Sequence, residues 1–229
     1  QYFHNSITMK ILVIDTETTG LPKRNTSIYK TEEWPYIIQL SFILFDTISL
    51  NIIYKYNEYI KPPENITISQ DSFNIHKISN EFVNKNGINI VDALTSLNTI
   101  LMMSDLIIGH NISFDKQIII VEFIRNNIKS NLTNQKYFCT MKNYVNYCKI
   151  PKPSDPLKFK YPKLSELYKT IFIMNPDDLH NSYNDILLCL RCYFYIEYNN
   201  NDLLLTSNDF IEEYNEYFKS SLQLLSLYN

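Results

Sequence analysis

Acidic residues at three separated points of the chain have the spacing that divalent-metal chemistry needs. The first point is Asp15-Thr16-Glu17-Thr18-Thr19-Gly20, at the end of a short apolar run. The period of two along a strand places Asp15 and Glu17 side by side on one face. Adjacent carboxylates repel one another unless a cation lies between them, and hard oxygen ligands suit Mg²⁺ or Mn²⁺. The second point is Gly109-His110-Asn111-Ile112-Ser113-Phe114-Asp115, where Asp115 opens a helix after another short strand. The third is His180-Asn181-Ser182-Tyr183-Asn184-Asp185, with a histidine just outside a helix and an acid in its first turn. Taken singly, each segment also has a plainer reading. They are a solvated strand end, a first-turn acid with Ser113 as N-cap, and a near capping box at Ser182-x-x-Asp185.

Taken together, the three segments describe a site for phosphodiester hydrolysis. Asp15, Glu17, Asp115 and Asp185 can surround two metal ions about 4 Å apart, with His180 able to deprotonate a water. One ion would generate and orient hydroxide while the other stabilises the leaving 3′ oxygen. Glycine occurs only three times in 229 residues, where average usage would give about sixteen. Gly20 and Gly109 both stand beside the suspected acids, which suggests a backbone requirement at each.

These motifs resemble those of the DEDDh exonucleases of the ribonuclease H-like superfamily, typified by the proofreading subunit of bacterial DNA polymerase. Asp15-x-Glu17-Thr18-Thr19-Gly20-Leu21 resembles the first family motif, Gly109-His110-Asn111-x-x-Phe114-Asp115 the second and His180-x4-Asp185 the third. Ile38-Gln39-Leu40, Ile75-His76-Lys77-Ile78-Ser79, Cys139-Thr140-Met141 and Leu164-Ser165-Glu166-Leu167-Tyr168 extend the likeness over residues 10 to about 198. The resemblance implies a 3′→5′ exonuclease releasing nucleoside 5′-monophosphates, with the four acids binding two Mg²⁺ or Mn²⁺ ions and His180 as general base. It also implies that Leu21 wedges against the terminal base and that Thr16, Thr18 and Asn111 lie near the terminal nucleotide. His76 and Phe114 would line its pocket. Expected partners are single-stranded nucleic acid or a free 3′ end, DNA favoured with RNA open, and a polymerase if the chain proofreads. The family often has Ala two residues after the motif histidine and Gly after the pocket histidine; Ser182 and Lys77 stand there in this chain. The rival reading is a nucleic-acid-binding or polymerase-associated module that keeps the fold without turnover. A missing ligand would favour it, and none is missing.

Composition agrees with a folded catalyst more than with a coat protein. Hydrophobic residues make up 45% of the chain and aromatic residues 14%, ample for one substantial core. A formal net charge of −3 offers no bulk attraction to a polyanion. Contact with phosphates must be local, and Lys149, Lys152, Lys158, Lys160, Lys163 and Lys169 supply a local excess against only Asp155 and Glu166. Cys139, Cys148, Cys189 and Cys192 lack the paired spacing of a structural zinc site and read as free thiols. No run approaches 18 apolar residues and no signal-peptide pattern is visible, so a soluble, intracellular protein is expected.

Mixed α/β architecture must position these residues. Strands are expected at 10–14, 36–45, 52–60, 105–109 and 137–139, the second and third joined as a hairpin through 46–51. Helices are expected at 71–78, 91–103, 114–128, 141–148, 164–172 and 182–198, with a Pro- and Lys-rich loop at 150–162. A final amphipathic helix at 208–227 turns Phe210, Ile211, Tyr214, Phe218, Leu222 and Leu225 inward. The expected fold is a ribonuclease H-like mixed five-stranded sheet flanked by helices. Residues 1–8 would be an extension or tag remnant, 9–200 the exonuclease domain and 201–229 a C-terminal helical extension packed on it.

Overall fold

A computed structural model describes residues 9–176 and 179–218. The first eight residues and the helical positions expected at Leu222 and Leu225 therefore lie outside the described residues. Five strands form one sheet in the order β3-β2-β1-β4-β5: β1 Lys10–Thr18, β2 Ile37–Asp46, β3 Asn51–Tyr59, β4 Leu106–Gly109 and β5 Tyr137–Cys139. The first three run antiparallel, while β4 and β5 lie parallel to β1. This is the expected mixed five-stranded α/β sheet.

Alternation along β1 sorts its side chains between two cores. Ile11 and Val13 face one cluster, together with Leu187, Leu190 and Phe194 of the helix α8 (Ser182–Glu197). Leu12 and Ile14 face the other, with α3 (Ile90–Leu101) and α4 (Ser113–Arg125). A strand covered on both faces reads as a continuous apolar run, as residues 11–14 do. The strand then continues through Asp15 to Thr18, where the pairing with β2 shifts register between Glu17 and Thr18. Irregularities of this kind collect beside active sites because they re-aim side chains.

Shorter helices complete the two layers: α1 Gln70–His76, α2 Asn80–Asn86, α5 Thr140–Asn143, α6 Val145–Cys148 and α7 Leu164–Phe172. The single helix expected at 141–148 is broken at Tyr144 into α5 and α6. The segment expected as a loop at 150–162 contains a separate hairpin, β6 Pro151–Lys152 with β7 Asp155–Phe159. At the C-terminal end, α9 (Leu203–Thr206) and α10 (Asn208–Tyr217) bring Leu203, Phe210, Tyr214 and Phe218 into the same core as α8. All four cysteines are free thiols. No helix among the described residues is long and apolar enough to cross a membrane.

Candidate active site

The acids come from three elements that meet at the carboxyl ends of the parallel strands β1 and β4. Asp15 and Glu17 continue the Ile11, Val13 face of β1, opposite Ser41 and Gln39 of β2. Asp115 is in the first turn of α4, directly after β4, and Asp185 is in the first turn of α8. One carboxylate oxygen each from Asp15, Glu17 and Asp185 lie within 4.8 Å of one another. Asp115 completes the group from the β4 side, where Thr16 donates to its Oδ1 from the backbone N–H at 3.1 Å and from Oγ1 at 2.9 Å.

Burial and mutual repulsion dominate the electrostatics of this cluster. Burial holds Asp15 well above the usual carboxylate range, and the charges of Asp115, Asp185 and Glu17 raise it further. Glu17 is pushed up to about 9 by burial and then by Asp185 and Asp115. Asp115 rises to about 7 through burial, with the Thr16 bonds opposing the rise. Asp185 also rises to about 7 through burial, opposed by the His180 backbone N–H and reinforced by Asp115. No Lys or Arg ion pair involves any of the four among the described residues. Asp185 Oδ1 is buried with no hydrogen-bond partner there. A buried, unpartnered carboxylate oxygen inside a cluster of acids fits a hard divalent cation, so Asp15, Glu17 and Asp185 could hold one, with Asp115 adjacent.

His180 reaches the site from an exposed loop with its backbone in the left-handed region, φ 70°. Partial desolvation and the nearby Lys163 ammonium lower its pKa, so the ring is neutral at pH 7 and able to accept a proton. His76 is buried at the end of α1, where its Nδ1 accepts the Ile78 N–H at 3.0 Å. It is close enough to His180 and to the Thr18 carbonyl for both to act on its pKa. Thr18 is itself buried and donates to the Gly20 carbonyl at 2.8 Å.

Buried polar side chains that the motifs do not include hold the third segment in place. Gln39 is fully buried; its Nε2 donates to Asn181 Oδ1 at 3.3 Å and its Oε1 accepts the Ser182 N–H at 3.3 Å. Ser41 and Ser182 share a hydroxyl–hydroxyl bond of 2.6 Å. The cross-strand neighbours of Asp15 and Glu17 thus anchor the helix that carries Asp185. A glutamine and a serine in an otherwise apolar strand are the sequence signal for this anchor.

The sequence matches the model of the RNase T family, described as exonuclease, over residues 12–193. The chain belongs to that exonuclease family. Its fold is that of solved exonucleases, one of them a DEDDh family member. E. coli Exonuclease I in complex with a dA16 oligonucleotide aligns with a TM-score of 0.62 at 17% identity, covering 96% of this chain and 45% of that one. This chain therefore spans less than half the length of Exonuclease I. The nuclease domain of 3′hExo, a DEDDh family member bound to rAMP, aligns with a TM-score of 0.62 at 17% identity over 85% of this chain and 94% of that domain. A 3′-exonuclease solved for 3′-end-specific recognition of histone mRNA stem-loop gives 0.63 at 16% identity, covering 86% and 85%. No curated protein sequence matches the chain.

Against the family pattern, the two departures have local explanations. Lys77 caps α1 with φ 61°, a conformation glycine adopts without cost and a lysine adopts with mild strain. Ser182 uses its hydroxyl on Ser41 rather than to cap α8; Asn181 is the N-cap and accepts the Tyr183 N–H at 3.0 Å. The capping box expected at Ser182-x-x-Asp185 is thus absent, and Ile112 replaces Ser113 as N-cap of α4 without any side-chain bond. Of the two glycines beside the acids, Gly109 is the crowded one: a Cβ there would sit 2.7 Å from Ile112 Cδ1 and 3.1 Å from the Ile14 carbonyl, so its neighbours would have to shift. Gly20 has no left-handed backbone and room for a Cβ, so the requirement expected of it is not found. Leu21 is 83% exposed and Asn111 is exposed with φ 68°, while Phe114 is half-buried against the α3 and α4 core. None of these three contacts the acids in the structure's hydrogen bonds or ion pairs, and Thr16 is engaged with Asp115.

Proposed function

We propose that the chain is a two-metal 3′→5′ exonuclease that hydrolyses the terminal phosphodiester bond of nucleic acid and releases nucleoside 5′-monophosphates. The observation that carries this reading is the convergence of Asp15, Glu17 and Asp185, from β1 and α8, about a buried Asp185 oxygen with no partner, with Asp115 of α4 near enough to act on the charge of Asp15 and Glu17. Asp15, Glu17, Asp115 and Asp185 would hold the metals, Mg²⁺ or Mn²⁺, as two ions. When bound, these ions supply Lewis acidity that makes a water acidic and stabilise charge on the leaving 3′ oxygen. His180, its pKa lowered, would take the proton from the attacking water, and its exposed loop position would let that proton pass on to solvent. His76, Thr18, Asn111, Phe114 and Leu21 receive the terminal nucleotide, with Thr16 supporting from behind. DNA is the favoured substrate, in line with the oligonucleotide-bound Exonuclease I fold that covers nearly all of this chain. RNA stays a second candidate, since the 3′hExo domain was solved with rAMP.

The deciding experiment incubates the protein with 3′- and 5′-labelled single-stranded DNA and RNA in Mg²⁺, Mn²⁺ or EDTA. Laddering from the 3′ end only with metal is expected, and intact oligonucleotide in every metal condition would refute the reading. His180→Ala is expected to lower kcat by roughly a hundredfold or more while Mn²⁺ affinity, read by calorimetry, stays within about twofold of the parent because no metal ligand is lost. Parent-like turnover in that variant would remove His180 from the mechanism.

A further inference from the structure

The segment that contains the β6–β7 hairpin concentrates positive charge in an acidic protein. Residues 149–169 hold six lysines against Asp155 and Glu166, a formal +4, so the remaining residues carry −7 of the chain's net −3. Lys158 pairs with Asp155 at 3.0 Å and Lys160 with Glu166 at 2.5 Å. Lys149, Lys152, Lys163 and Lys169 form no ion pair among the described residues. The hairpin pairs with no strand of the main sheet, and it presents Leu157, 93% exposed, and Tyr161, 59% exposed. An apolar side chain left that bare beside lysines has no role in the core.

The root of this hairpin is fastened to the active site. His110, next to Asn111 of the second motif, bonds the Pro162 carbonyl through Nε2 at 3.0 Å and Thr140 Oγ1 through Nδ1 at 2.9 Å. Lys163, the following residue, is exposed and close enough to lower the pKa of His180. The hairpin therefore leads from the mouth of the acid cluster outward. From Lys163 to Leu157 is six residues, a reach of at most about 20 Å, or about six phosphates of a stacked strand.

We propose that the β6–β7 hairpin is a docking arm for the part of the substrate strand that lies 5′ of the terminal nucleotide. Lys149, Lys152 and Lys158 meet successive phosphates, and Leu157 and Tyr161 present faces on which bases stack. This proposal rests on the exonuclease reading above. A nucleic-acid strand fits better than an acidic protein surface because aromatic and apolar side chains interleave with the lysines. The −7 balance elsewhere also steers a polyanion toward this strip.

Two variants test the arm, Lys149→Ala/Lys152→Ala/Lys158→Ala and Leu157→Ser/Tyr161→Ser, all at surface positions. Binding of a fluorescent single-stranded DNA of about ten nucleotides, longer than the arm's reach, is measured by anisotropy in EDTA, so that turnover plays no part. The lysine variant is expected to bind about tenfold more weakly, and its plot of log affinity against log salt to flatten by about 2. The Leu157/Tyr161 variant is expected to weaken binding about tenfold with an unchanged salt slope. With metal, both variants raise KM for the long strand yet cleave a dinucleotide, too short to reach the arm, at the parent rate. Parent-like affinity, salt slope and KM overturn the proposal, as does an equal loss on the dinucleotide, which would make the hairpin part of the site itself. A parent protein that cleaves neither substrate refutes the exonuclease reading instead, and the binding arm of the experiment still decides the role of the hairpin.

Discussion

Arg191 and Asp15 both place a charge inside the protein, and their surroundings treat it in opposite ways. Arg191 lies in the middle of α8, only 3% exposed, with a bidentate bond to Asp202 at 2.8 and 2.7 Å, a bond to the Tyr168 hydroxyl and the Phe172 ring 3.8 Å away. Arg125 is similar: it pairs with Glu122 at 2.7 Å and donates to the Thr31, Trp34 and Pro35 carbonyls. Among the described residues no Lys or Arg pairs with Asp15, and three more carboxylates raise its pKa along with burial. The first arrangement fixes where elements sit. The second stores repulsion that only something from outside can relieve, which is the mark of a binding site rather than of a structural ion pair.

Neutral replacement should therefore act with opposite signs at the two places. Asp15→Asn or Asp185→Asn is expected to cost at least about a thousandfold in metal-dependent cleavage, yet to raise the thermal midpoint measured in EDTA, because a carboxyl whose ionisation is penalised in the folded state is gone. A lowered midpoint in EDTA would show that the acids are structurally satisfied and would erase the contrast. Arg191→Leu leaves the half-buried Asp202 with only the Leu204 N–H as a partner and is expected to destabilise by about 3–5 kcal/mol, a fall of roughly 10 °C for a chain of this size. Equilibrium denaturation in urea measures this loss, and a change under about 1 kcal/mol would mean that the pair is dispensable.

The acid cluster also fixes how stability depends on pH. Glu17, Asp115 and Asp185 have folded-state pKa values of about 9, 7 and 7, above those of the unfolded chain. Between about pH 4 and 9 the folded state then binds more protons, so these groups make the metal-free protein less stable as pH rises. Saturating Mn²⁺ binds the deprotonated form and should reverse the trend. At a hundred times its dissociation constant it contributes about 2.7 kcal/mol, or roughly 5–10 °C, with the larger rise at pH 8 than at pH 6. Equal metal-induced shifts at both pH values would separate metal binding from the titration of these acids.

Where residues are close in sequence and periodic, the amino-acid pattern was enough to place them. The five strands, α7 and the three acidic segments all follow from local runs, and α7 ends where expected, at Leu164 and Phe172. Helix α2 was missed because only Val83 of its seven residues is buried, which leaves no stripe to detect, although Ser79 caps it and Gly87 closes it. The hairpin at Pro151–Lys152 and Asp155–Phe159 read as loop for the same reason: nothing buries one of its faces, so its side chains do not alternate. The acid site was legible as a set of residue types, but its supports were not. Gln39 meets Asn181 and Ser182 across more than 140 positions, and Tyr183 meets Glu213 of α10 across 30. Contacts at such separations leave no trace in a local pattern, and Glu213 lies beyond the family resemblance altogether.

Thr16 gives the smallest and finest test of the comparison, because it is a neutral side chain that partly satisfies a member of the acid cluster. The family resemblance assigns it to the substrate, whereas the structure shows its hydroxyl on Asp115 Oδ1, alongside its own backbone N–H. Thr16→Val removes the hydroxyl but keeps the backbone bond and the side-chain volume, and Thr16→Ser restores a donor. If Thr16 acts through Asp115, the valine variant needs about tenfold more Mn²⁺ for half-maximal cleavage, and saturating metal recovers most of its rate. The serine variant should behave like the parent. If Thr16 instead touches the nucleotide, the metal requirement stays put while KM for the oligonucleotide rises at every metal concentration. The second pattern would move Thr16 out of the acid cluster's support and leave Asp115 with only a backbone donor from β1.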